Sequence, residues 1–271
     1  MNGPKVSIVT PSYQQGDFIE ETLKSVARQS YDRIEHLVVD GGSTDQTLDL
    51  LRKYEDRYSL RWLSEPDDGQ SDAINKGFDR VTGDIVGWIN SDDFYYDSDV
   101  VATAVDRFTG DSELDILYGS IAHIDEHSHI QRFQPAPEFN HSVLRGHDYI
   151  PQPGVFLDSE VVSEYRLRSD YVFAMDYEYW LRLASEGRKF GRTSKVMAAY
   201  RGHDSAKGPS LGLDRLYEEK EELQERYGRP DKAEELSFKV RRKLGSLVRN
   251  GQRWRDRDRQ PPILRYEEEL E

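Results

Sequence analysis

The chain has 271 residues, a formal net charge of −14 and no cysteine. That length fits one large α/β domain with a tail or two small domains. The missing thiols exclude disulfides and thiolate zinc sites, and the charge argues against general nucleic-acid binding, which needs a basic face. No apolar run approaches the roughly 18 residues of a membrane span. The start, Met1 to Val6, leads directly into a strand. The expectation is a cytoplasmic protein without a secretory signal. Arginine exceeds lysine, 26 against 11; an acidic, lysine-poor surface fits either a salt-rich host or an ordinary acidic enzyme.

The first hundred residues alternate strand and helix signals. Val6–Thr10 reads as a short buried strand. Asp17, with Glu20 three residues on, predicts a capped helix whose apolar face is Ile19, Leu23, Val26 and Ala27. His36–Asp40 is the next strand, and Ser43-Thr44-Asp45-Gln46 resembles a capping box for a helix carrying Leu48, Leu51 and Tyr54. A weak strand at Leu60–Leu63 precedes a helix with Ile74, Gly77, Phe78 and Val81 on one side, and Asp84–Gly87 is the strand after it. Such an order predicts a parallel sheet covered on both faces, with ligands bound beyond the strands' carboxyl ends. Thr10-Pro11-Ser12, Asp40-Gly41-Gly42 and Asn90-Ser91-Asp92-Asp93 all fall there.

The middle is less regular. Ile116–Ser120 and His129–Phe133 read as strands that could pair as a hairpin, and Pro135, Pro137, Pro151 and Pro153 mark a loop-rich region suited to acceptor contacts. Asp176–Glu186 predicts a helix with Trp180, Leu181 and Ala184 inward. Helical character returns from Leu213 to about Arg249; Lys239–Arg259 is basic and Tyr266–Glu271 acidic.

Several residues could carry chemistry. Asp92 and Asp93 end an apolar strand side by side, which is costly unless a cation sits between them. A divalent cation shared with a phosphorylated ligand meets that need. Asp40 could accept from a nucleobase N–H or merely order the Gly41-Gly42 turn. Asp67 and Asp72 could touch a ribose or base, or favour the start of the following helix through its dipole. Asp176 could be an N-cap or a general base. His203 stands alone after a strand-like run, and the other six histidines show no zinc spacing.

Four linked segments, Val9–Tyr13, Val39–Asp45, Ser64–Gly77 and Trp88–Asp93, occur in order and together resemble family 2 glycosyltransferases, inverting enzymes of the GT-A fold. The resemblance runs from about Lys5 to Tyr200. It implies a Rossmann-like, mostly parallel central sheet flanked by helices. Residues 1–205 would form the glycosyltransferase domain, with a nucleotide-sugar half at about 1–95 and an acceptor half at about 96–205; residues 206–271 would be a helical extension. It also implies a nucleotide-diphosphate sugar donor, a UDP-sugar above others, and a glycan or lipid-linked acceptor. Thr10, Pro11, Ser12, Tyr13, Asp40, Gly41, Asp67, Asp72 and Ser91 would hold the nucleotide. Asp92, with His203, would bind Mn²⁺ or Mg²⁺. Asp176 would be the base, and Asn90, Asp93, Gln152 and Trp180 would meet donor or acceptor sugar. Asn90 replaces the first acid of the usual Asp-x-Asp motif, and Met175 the acid before the base. Those two departures motivate the alternative of an inactive nucleotide-sugar-binding module. A nucleotidylyltransferase fits less well, because Thr10–Gln14 lacks that class's glycine-rich loop. No Gln-x-x-Arg-Trp motif of processive synthases is present, so a single-sugar transfer is expected. Finally, Val240, Leu244, Leu247 and Val248 share a helical face beside a basic run. Such a helix could rest peripherally on the anionic inner face of a membrane, pack on the core, or form a homodimer.

Overall fold

The computed structural model describes residues 3–203, 213–233, 235–240 and 259–264. Its centre is one mixed sheet. Strands β1 (Val6–Ser12), β2 (Ile34–Asp40), β3 (Leu60–Ser64) and β4 (Ile85–Trp88) are mutually parallel, in the order β3-β2-β1-β4. β1 and β4 are buried along their whole length, as expected of strands covered on both faces. The helices α1 (Ile19–Ala27), α2 (Thr47–Tyr54) and α3 (Gln70–Phe78) connect them. On α3 the helix–sheet approach is very close. A Cβ on Gly77 would stand 2.4 Å from Val9 Cγ1, so glycine is required there.

Two expected caps are absent. The first helix starts at Ile19 with Phe18 in the cap position and no side-chain bond, because the amides of Phe18 and Ile19 both donate to the Gln15 carbonyl. In the second loop Ser43 turns back to Asp40, and Asp45 instead accepts from the Thr47 amide at 3.0 Å.

The second half continues the sheet. β5 (Phe94–Tyr95), α4 (Val100–Gly110), β6 (Ile116–Ile124) and β7 (Ile130–Gln134) lead to the short α5 (His141–Leu144) and a 3-10 turn at Gln152–Gly154. β8 (Val155–Asp158), α6 (Ser159–Glu164), α7 (Met175–Ser185) and β9 (Phe190–Arg201) follow. β8 inserts antiparallel between β4 and β6, and β9 lies parallel to β6 and antiparallel to β5. β6 and β7 form the expected antiparallel pair. The sheet is mostly parallel, with β5, β7 and β8 reversed.

Beyond the sheet, α8 (Leu213–Tyr227) packs on α7, and residues 235–240 are helical. Phe238 is buried against His147 and Tyr149. Of the apolar face expected in the tail only Val240 is described, and it is half exposed. Leu244, Leu247, Val248, the boundary at 205/206 and the acidic end lie outside the described residues. Among those residues no helix is long and apolar enough to cross a membrane.

Candidate active site

The carboxyl ends of β1 and β4 open into a cavity of about 760 Å³. Its lining includes Pro11, Ser12, Tyr13, Asp67, Asn90, Ser91, Asp92 and Asp93 together with Asp148, Gln152, Phe173, Asp176, Tyr200 and Lys220. Five aspartates, Asp67, Asp92, Asp93, Asp148 and Asp176, line the cavity with one lysine, Lys220.

Tyr13 is 60% exposed at the mouth, and the Ser12 hydroxyl has no protein partner. The next residue, Gln14, takes a positive φ of 54° and ties the β1 loop to the β2 loop, its side-chain carbonyl accepting from the Thr44 and Asp45 amides. Asp67 lies against the backbone of Gly41, where a Cβ would come within 2.6 Å of its carboxylate. Gly41 thus shapes the wall without lining it.

Other predicted nucleotide contacts point away from the cavity. Thr10 is fully buried and its hydroxyl bonds His36 Nε2 at 2.9 Å. Asp40 is also fully buried. Its carboxylate accepts from the amides of Gly42 and Ser43 and the hydroxyls of Ser43 and Ser64, at 3.1, 2.8, 2.5 and 2.6 Å. It orders the turn, where Gly42 has φ +86°. Asp72 caps its own helix turn through the Asp68 amide and pairs with Lys76 at 3.0 Å. Trp180 is fully buried, its ring 6.5 Å from that of Trp88, so it belongs to the core.

The loop after β4 is held by two devices that the sequence did not announce. The first is a closed circuit. The Trp88 indole N–H donates to Asn90 Oδ1 at 3.1 Å, Asn90 Nδ2 donates to Gln152 Oε1 at 3.1 Å, and Gln152 Nε2 donates to the Trp88 carbonyl at 2.7 Å. An indole can only donate and a carbonyl only accept, so both amide orientations follow from the ends. Gln70 donates a further bond to Asn90 Oδ1 at 2.8 Å. Asn90 therefore accepts and donates at once, which an aspartate cannot do. Asn90→Asp should set a carboxylate oxygen against Gln152 Oε1 and cost about 1–2 kcal/mol of stability. Chemical denaturation checks this; undiminished stability with tighter Mn²⁺ binding would show that the amide is not needed.

The second device is Arg201, 2% exposed at the end of β9. Its guanidinium lies near the rings of Phe18 and Phe94, at 4.9 and 5.6 Å, and pairs with Glu21. Its Nε donates to the Asp92 carbonyl and its amide to Asp93 Oδ1, both at 2.9 Å. Asp93 is thereby committed to the loop. Burial, then the charge of Asp92, pushes its carboxyl well above the usual range. Asp92 faces the cavity, with Oδ2 3.1 Å from His203 Nε2. The His203 ring is nearly buried beside Phe18, at 4.6 Å.

Asp176, also in the lining, stands in the first turn of α7 and accepts from the Tyr177 amide at 2.8 Å. Met175 is buried, with its sulfur 3.1 Å from the Ser71 hydroxyl. Tyr200 lines the same cavity. Its phenol is pushed up to about 12 by burial and then by Asp93, Asp92 and Asp176 together. Asp148, in the loop expected to meet the acceptor, also lines the cleft. Enclosing protein and then the charge of Asp176 raise its carboxyl, against the pull of Lys220. The side chain is exposed to solvent. No side-chain pattern around Asp148 or Lys220 singles them out in the sequence, because they come from a loop and a helix some seventy residues apart.

The profile of glycosyl transferase family 2 matches residues 7–159. The chain belongs to this family. An uncharacterized glycosyltransferase of Mycobacterium tuberculosis is 35% identical over 188 residues, 68% of this chain and 70% of that protein. Solved glycosyltransferases share the fold. Staphylococcus aureus TarS 1–349 with UDP-GlcNAc superposes with TM-score 0.62 at 18% identity, covering 77% of this chain and 61% of that one. The mannosyltransferase PcManGT of Pyrobaculum calidifontis, with GDP-Man and Mn²⁺, gives 0.58 at 22%, covering 79% and 61%. This family 2 glycosyltransferase thus spans about three-fifths of each solved chain, and its α8 lies beyond the family match.

Proposed function

We propose that this glycosyltransferase moves one sugar from a nucleotide-diphosphate sugar, a UDP-sugar above others, to a hydroxyl of a glycan or lipid-linked glycan, with inversion. Residues 1–95 would serve the donor and 96–205 the acceptor. The observation that carries the reading is that Asp92 and Asp176, from separate segments of the chain, line one cavity. Asp176 removes the proton from the acceptor hydroxyl while that oxygen attacks the anomeric carbon and the sugar's bond to the diphosphate breaks. A single displacement inverts that carbon. Tyr13 and Asp67 flank the nucleotide, and Gln152, locked by Asn90, shapes the sugar's side of the wall.

The side chains present fit a divalent cation. Asp92 offers a carboxylate oxygen facing the cavity, with the imidazole of His203 beside it. Among the described residues no three histidine, cysteine, aspartate or glutamate side chains form a ready cage. Diphosphate and water would therefore complete the shell of Mn²⁺ or Mg²⁺. When bound, the cation supplies positive charge to the leaving diphosphate. Asn90 and Met175 each have a structural role, Asn90 in its circuit and Met175 against Ser71, which supplies a reason for these two departures other than loss of activity.

The test is a thermal-shift panel of UDP, GDP, UDP-glucose, UDP-N-acetylglucosamine and GDP-mannose with and without Mn²⁺. The expected result is a raised Tm with UDP and UDP-sugars that grows when Mn²⁺ is added. A Tm unmoved by every nucleotide at millimolar concentration would overturn the reading.

A further inference from the structure

Helix α8 does more than border the cavity through Leu216 and Lys220. Its Glu219 is 6% exposed, and the carboxylate accepts from three consecutive backbone amides: Val172 at 2.9 Å, Phe173 at 2.8 Å and Ala174 at 2.9 Å. Arg215, one turn earlier, donates to the same carboxylate at 3.1 Å. Burial raises the carboxyl's pKa, but the three amides and Arg215 outweigh it and hold the group below its ordinary range. Glu219 is therefore ionised at neutral pH, and charge-assisted bonds are the strong ones.

The three amides belong to the segment that ends in Asp176. Val172 and Phe173 line the cavity, Ala174 is the cap of α7, and Asp176 is two residues further on. A second grip lies just beyond. Glu178, fully buried, accepts from Tyr227 Oη of α8 at 2.9 Å and from Arg182 Nε at 3.0 Å. Helix α8 thus holds the chain on both sides of Asp176. Without Glu219 the three amides lose their partner and must move toward water to regain one. Asp176 would move with them.

We propose that Glu219 is a positioning residue for Asp176, so that the helix beyond the family-matched region is an integral part of the active site. This rests on Asp176 being the base. Misplacing a reacting group by about 1 Å can lower a rate by about 10²-fold.

The test compares Glu219→Ala, Glu219→Gln and Asp176→Asn, alone and combined, with Glu218→Ala as an exposed control on the same helix. The rate is UDP release from UDP-glucose or UDP-N-acetylglucosamine with Mn²⁺; UDP affinity is measured alongside. Folded Glu219→Ala is expected to lose about 10- to 100-fold in kcat. Its UDP affinity should be retained, and Glu218→Ala should keep its rate. Glu219→Gln, which retains one acceptor oxygen, is expected to lose less, and it carries the test should the alanine variant not fold. In the Asp176→Asn background the same changes should have almost no further effect, because the group being positioned is gone. Full kcat in a folded Glu219 variant would overturn the proposal. So would an equal fold-loss with Asp176 already replaced, which marks a purely structural role. Full activity in Asp176→Asn alone would sink the base assignment instead.

Discussion

Asp176→Asn is expected to lower kcat by about 10²–10⁴-fold while leaving nucleotide binding and folding intact. The side chains have nearly the same shape, and the asparagine oxygen can still accept from the Tyr177 amide that Asp176 uses at 2.8 Å. Asparagine is also a good residue for the start of a helix. What is lost is the ability to take a proton. The fall should therefore appear in kcat and in kcat/KM together, the pattern of a group that acts in the transition state. Transfer and UDP-release rates measure it, and the Tm of the variant with and without UDP shows that the donor side is unaffected. A folded variant with the parent rate would remove Asp176 from its role.

Asp92→Asn should act differently. Its expected signature is the loss of metal dependence: the extra Tm gain from Mn²⁺ with UDP should vanish, and EDTA should no longer alter the rate. Losing one preorganised stabiliser of the leaving group is expected to cost about 10²–10³-fold in kcat. The loop itself should survive. Arg201 holds it through the Asp92 carbonyl and Asp93, not through the Asp92 side chain, and His203 can bond an amide as well as a carboxylate. A variant that keeps the full Mn²⁺ response would exclude Asp92 as a ligand.

The parallel half of the sheet was legible because its strands are continuous apolar runs, each followed by an amphipathic helix. β1 and β4 are buried along their whole length, in keeping with that reading, whereas β3, which gave only a weak signal, is partly exposed. β8 was not legible. It follows Pro151 and Pro153, which speak for a loop, and only four residues pair. Its strand character comes from insertion between β4 and β6, a nonlocal contact. The missing cap at Asp17 has a similar cause, because the Gln15 carbonyl already takes the first helical amides.

The site divides along the same line. Local pattern alone determined which residue types stand at the ends of strands, and so it nominated Asp92, Asp176 and the loop after β1 as places for chemistry. It also nominated Asp40 and Thr10, because position along a strand does not say which partners a side chain meets. The tertiary structure decided that. It turned Asp40 inward onto four donors and Thr10 onto His36, and it sealed Trp180 in the core. It also brought Asp148 into the cavity lining, and Arg201 and Glu219 onto the loops behind it, from distant segments. A hydrogen bond is satisfied by whatever lies within about 3 Å in space, and neighbours at that distance are set by packing among elements far apart in the chain.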